Sequence, residues 1–107
     1  MNGYVILYTT WPDAETAQAA AADAVAERLA ACANIFSPMV SVYRWEGAVE
    51  STAEVAMTLK TSAAAAPALR DLILSRHPYD LPCVLAIKVD ADASATQFLD
   101  WVQGEIS

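Results

Sequence analysis

The chain has 107 residues and a formal net charge of −7, from thirteen acidic and six basic residues. That length is one domain, taken here as residues 1–107, and a domain so small buries only about 60–70% of its unfolded surface. The acidic balance, with a pI near 4.3, excludes nucleic acid and anionic membrane as partners, since both demand clustered Lys and Arg, and no apolar run reaches the ~18 residues of a membrane span.

Tyr4–Tyr8 is a continuous β-favouring run, suited to a strand in the middle of a sheet. Thr9–Asp13 is read as a turn, with Asp13 as helix cap and Glu15 in the first helical turn. Ala14, Ala17, Ala21, Ala24, Val25 and Leu29 then follow helical spacing, so the helix is expected over 13–31, ending near Cys32. From Ile35 the period changes to two, and Pro38 is expected to break or bulge that strand. Glu46-Gly47 is the turn signal before alternation resumes at Val49, with Val55, Met57 and Leu59 on one face and Glu54, Ala56, Thr58 and Lys60 on the other.

Thr61 or Ser62 can start a second helix, which tolerates Pro67 in its first turn. Leu69, Leu72, Ile73 and Arg76 mark its inner stripe, and His77-Pro78 stops it. Residues 83–89 form a further apolar strand. Ser94 is expected to cap a C-terminal helix anchored by Phe98, Trp101 and Val102. The order is βαββαβ plus a terminal helix: an α+β, ferredoxin-like domain with helices on an antiparallel sheet.

The hairpin is too long for its cover. Residues 49–61 as one strand reach ~43 Å, against ~28 Å for the first helix. Its distal end carries Tyr43, Trp45 and Val49, which are unfavourable to leave wet beside free strand edges. Either the arm bends back over its own sheet, or sister copies cover it; the length arithmetic favours self-association.

The start at Met1 shows no basic n-region, so a signal peptide is not expected, and Cys32 and Cys83 are read as reduced thiols of a cytoplasmic protein. No glycine-rich phosphate loop, G-x-S-x-G or H-E-x-x-H string is present, so the chain is read as a non-enzyme.

Five strings, in order, carry a family likeness: Leu29-Ala30-Ala31-Cys32-Ala33-Asn34, Ser41-Val42-Tyr43-Arg44-Trp45-Glu46-Gly47, Leu59-Lys60-Thr61, His77-Pro78-Tyr79-Asp80-Leu81-Pro82 and Phe98-Leu99-Asp100-Trp101-Val102. From about Tyr4 to Val102 the chain resembles the CutA family of divalent-cation tolerance proteins. The resemblance implies a ferredoxin-like subunit, a homotrimer joined through the long hairpins, and a role in tolerance of copper and other divalent cations. No metal is required for folding in this reading; copper or another divalent cation is a candidate ligand. In copper-binding relatives the proposed ligands are a Cys at the end of the first strand and two adjacent His before Pro-Tyr. This sequence has Thr9 and Arg76 at two of those positions and keeps only His77, so copper binding there is expected to be weak or absent; an Arg repels the ion.

His77, the one histidine, is a soft-metal candidate by its imidazole and equally a helix-end donor. Cys32 is the second candidate ligand, its alternative being a small buried apolar residue. Tyr43, Trp45, Lys60 and Tyr79 make a separate set. The resemblance places such residues in clefts between subunits, where aromatics and one cation could hold a small anion or simply pack the interface. The competing function is therefore a trimeric signalling or anchoring module that binds an anion or a protein partner.

Overall fold

A computed structural model describes residues 3–107; the leader reading from Met1 and Asn2 lies outside the described residues. Among these residues, five strands and three helices follow in the order β1 (Tyr4–Trp11), α1 (Ala14–Ala26), β2 (Cys32–Ile35), β3 (Met39–Trp45), β4 (Ala48–Ser62), α2 (Ala66–Arg76), β5 (Val84–Lys88) and α3 (Thr96–Glu105). The sheet order is β2-β4-β1-β5, with β3 also on β4, and every pairing is antiparallel. The strand expected after the first helix is two strands on one partner. Pro38 has no N–H for a ladder, and the chain breaks its pairing there before resuming at Met39.

Alternation along β4 sets the layers. Val55, Met57 and Leu59 face the helices and join Leu7, Trp11, Ala17, Ala20, Ala24, Leu69 and Ile73 in one core. The alanines of α1 let that helix sit close on the sheet, because each brings only a methyl group to the contact. Asp13 caps α1 as expected: Thr16 N donates to its Oδ1 at 2.8 Å, and the Thr16 hydroxyl bonds the same oxygen.

The first strand does not stop at Tyr8. Thr9, Thr10 and Trp11 continue it to the edge of the turn and are buried, since the Thr9 hydroxyl finds partners inside the sheet. The first helix ends at Ala26, five residues before the expected end. Arg28 at φ +60° closes it in a Schellman turn, with Leu29 N bonding Ala24 O and Arg28 N bonding Val25 O. Arg76 is not on the inner stripe of α2; it reaches across the surface to Asp23, Nε to Oδ2 at 3.0 Å. Ser94 does not cap α3 either, because its hydroxyl donates to Asp90 O. Leu99 and Val102 anchor that helix, while Phe98 and Trp101 are half exposed and pack against each other, ring centroids 5.6 Å apart.

The turn Glu46-Gly47, at φ +49° and +83°, has the left-handed pair of a type I′ hairpin. From it β4 runs 15 residues, ~50 Å if fully extended, whereas the 13 residues of α1 cover ~20 Å. The first six residues of β4 and most of β3 are accordingly exposed. The arm projects, and the molecule measures 44 Å along its longest axis.

Candidate functional site

Strand pairing decides which side chains meet. Tyr43 lies opposite Glu50 and Met39 opposite Glu54. This puts Tyr43, Trp45, Glu50, Thr52 and Glu54 on one face of the arm and Val40, Val42 and Val49 on the other. The first set continues onto the sheet face away from α1 and α2, where Tyr8 and Thr10 stand. The loop after α2 brings Tyr79, Asp80 and Cys83 against it. Together they line a cleft of about 920 Å³.

The loop is held by an aromatic ladder. Trp11, fully buried, donates its indole N–H to Thr9 Oγ1 at 2.7 Å, and that hydroxyl donates to Met57 O at 2.9 Å. His77 stacks on Trp11 with centroids 4.2 Å apart, and Tyr79 tilts on His77 at 4.9 Å. His77 Nε2 bonds Thr10 O at 2.7 Å, and its Nδ1 lies 3.1 Å from Tyr79 N. A carbonyl only accepts and a backbone N–H only donates, so the ring is neutral, with its proton on Nε2. Beyond it the Tyr79 hydroxyl meets Glu54. Burial first, then the Glu54 charge and hydrogen bond, raise the Tyr79 phenol above its ordinary pKa of 10.0. Glu54 itself is 9% exposed.

The structure gathers Tyr43, Trp45 and Tyr79 of the expected set and leaves Lys60 elsewhere. Lys60 shares their sheet face but sits six residues beyond Glu54, ~20 Å along the strand. There its ammonium donates to Asn34 Oδ1, under α3. In place of a lysine the cleft carries the carboxylates of Glu50, Glu54 and Asp80. Its Arg44 is turned back, Nη1 on Gly47 O at 3.2 Å. Such a lining attracts cations rather than anions.

His77 and Cys32 do not meet. Cys32 pairs with Lys60, and His77 bonds the residue that pairs with Ala56, so their anchor points are four positions apart on β4, ~13 Å. Both cysteines are free thiols, half-buried. Among the described residues no group of three or more His, Cys, Asp or Glu is placed to hold a metal ion. Sequence reasoning missed Trp11 as the platform of the ladder. Its signal was an indole three residues after the β-run Tyr4–Tyr8 and directly before Pro12, a position that ends a strand inside the core.

An antiparallel α+β domain with a projecting two-stranded arm, and an acidic, aromatic cleft at the arm's root, is the class of protein these features define. The CutA1 divalent ion tolerance protein profile matches residues 5–105, and the chain belongs to that family. It is 40% identical over 102 residues to the divalent-cation tolerance protein CutA of Salmonella newport, covering 95% of this chain and 87% of the relative. The crystal structure of divalent ion tolerance protein CutA1 from Ehrlichia chaffeensis superposes with a TM-score of 0.92 at 34% identity, over 100% of this chain and 98% of that one. A protein from Archaeoglobus fulgidus, described as a periplasmic divalent cation tolerance protein CutA, gives 0.91 at 35%, over 97% and 99%. Among the described residues no helix is long and apolar enough to cross a membrane.

Proposed function

We propose that this chain acts in divalent-cation tolerance, copper included, as a non-enzymatic cytoplasmic homotrimer that holds metal or a small cation at clefts between subunits. The observation that carries this reading is the arm. Val40, Val42 and Val49 are 72%, 69% and 69% exposed on one face, and Tyr43 and Trp45 are open on the other. A single chain cannot cover such a surface, and sister copies can. The cleft then lies between protomers, its carboxylates drawing cations, with His77 as the soft donor behind its wall and Cys32 as a separate soft donor further along β4.

The test combines mass and metal. Sedimentation at micromolar concentration should give a particle of three chains. Titration with Cu(II), Cu(I) and Zn(II) should show stoichiometric binding that His77→Ala or Cys32→Ala reduces. A lone 11.4 kDa particle defeats the assembly. No binding tighter than ~10 µM, about −7 kcal/mol, defeats direct metal handling and favours the second reading, a trimeric module for a protein partner. One observation favours that alternative: both ring nitrogens of His77 are already bonded.

A further inference from the structure

The C-terminal helix is attached unlike the other two. Leu99 and Val102 are its only buried side chains, and its main packing partner is β4. Its last turn is held from outside. Arg28 Nε donates to Glu105 O at 3.0 Å and Nη2 to Gly104 O at 2.9 Å, while the Arg28 carbonyl accepts from Ser107 N at 3.1 Å. The guanidinium thus fills two of the four carbonyls orphaned at a helix C-terminus and carries the sign that end favours.

Arg28 stands in the left-handed region, φ +60°, where a side chain is strained and glycine is usual. The Schellman turn that ends α1 would form more readily with glycine. The arginine gives up that ease and supplies the clasp instead. At the opposite end of α3 the connection is closed on itself. Asp90 Oδ1 accepts from Asp92 N and Ala93 N, and Ser94 Oγ donates to Asp90 O. A segment that satisfies its own polar groups can swing without stripping hydrogen bonds from the sheet. Beneath the helix is a cavity of about 170 Å³, walled by Ile6, Lys60, Phe98, Leu99 and Val102.

We propose that α3 is a hinged lid, held shut by the Arg28 clasp, which opens over the apolar strip around Ile6 while the sheet stays folded. Ten residues are too few for a helix to persist alone in water, so once unclasped the lid frays and the apolar strip around Ile6 is bared. The motion belongs to one chain and stands whatever the number of copies or the metal bound.

Hydrogen exchange read by mass spectrometry tests this on the full chain. Arg28→Ala should speed exchange of the α3 amides at least tenfold and leave β1 and β4 unchanged. Arg28→Gly relaxes the backbone strain but lacks the guanidinium. It should open the lid as Arg28→Ala does, with the sheet as stable as before or more so, which guards against a variant that merely folds poorly. Wild-type α3 protection in Arg28→Gly, or α3 and sheet exchanging in one global step in every variant, overturns the proposal.

Discussion

Val42→Asp puts the assembly argument to a direct test. The side chain is 69% exposed in the single chain, points away from the cleft, and lies opposite Ser51 on β4. Within one protomer a change there touches no core, so the domain should fold and keep its sheet. In a trimer the same side chain is covered. Burying about two-thirds of a valine is worth ~1–2 kcal/mol per chain, so three copies together lose ~3–6 kcal/mol, and the dissociation constant rises by two to four decades at 1.4 kcal/mol per decade. A carboxylate in place of the methyl groups adds its own desolvation and raises the figure further. Sedimentation velocity across a dilution series from ~100 to ~0.1 µM reads the shift directly. Circular dichroism checks that the dissociated chain is folded. If Val42→Asp sediments as the wild type does at every dilution, the exposed valine face is not what sister copies cover, and the inference from arm length to assembly fails.

Other outcomes follow from single sites. Thr9→Val removes the one partner of the buried Trp11 indole N–H and should cost ~1–3 kcal/mol in urea unfolding, with Thr9→Ser restoring most of it; a loss below ~0.5 kcal/mol would mean the ladder has no structural weight. The Thr16 side-chain bond first, and its backbone N–H second, hold the Asp13 carboxyl below its ordinary 3.8. Its contribution is therefore present above pH ~4 and is lost as pH falls through the lowered folded value. Asp13→Asn keeps a cap but should flatten that stretch of the stability–pH curve, and an unchanged curve refutes the assignment. Gly47→Ala meets no atom within 4 Å, yet the residue sits at φ +83°, so a loss of about 1 kcal/mol in thermal unfolding is expected from backbone strain alone.

Periodicity made much of this fold readable. The alternation at Val55, Met57 and Leu59 placed the core face of β4, Pro38 announced the break between β2 and β3, and Glu46-Gly47 set the hairpin turn. What failed was where tertiary partners override local chemistry. Thr9 and Thr10 read as turn residues, but inside the sheet a hydroxyl that bonds Met57 O is satisfied and β-branching suits the strand. Arg28 gave no sign of a helix end, because the left-handed residue there is neither Gly nor Asn. On α3 the triplet Phe98, Trp101, Val102 and the pair Leu99, Val102 fit helical spacing almost equally; only docking on β4 chooses between them. The cleft is a different case. Lys60 was placed on the correct face, but distance along a strand does not show in a two-residue period, and the carboxylates that replace it are contributed by an arm and a loop far apart in sequence.

The positions where the family resemblance calls for soft ligands are in this chain committed to structure. Thr9 stands where a cysteine thiol is expected, and its hydroxyl is both acceptor for Trp11 and donor to Met57; a thiol there would make longer, weaker bonds to both. Arg76 stands where the first of two histidines is expected, and its guanidinium joins α2 to α1 through Asp23, an exposed pair of modest strength. The histidine that remains is stacked on an indole and bonded at both ring nitrogens. To ligate a metal it must surrender either the tie to Thr10 or the tie to Tyr79, and the second is what sets the wall of the cleft. Metal at His77 and order in the cleft are thus coupled. An ion taken by Nδ1 frees the Tyr79 backbone and loosens the aromatic wall beside Glu54, whereas an ion held by the cleft carboxylates leaves the ladder intact. The two modes separate in the fluorescence of Trp11, whose indole stacks on the His77 ring: in a Trp45→Phe, Trp101→Phe variant, which leaves Trp11 as the single indole, quenching by stoichiometric Cu(II) that is lost on His77→Ala marks the histidine, and binding heat that persists on His77→Ala marks the carboxylates.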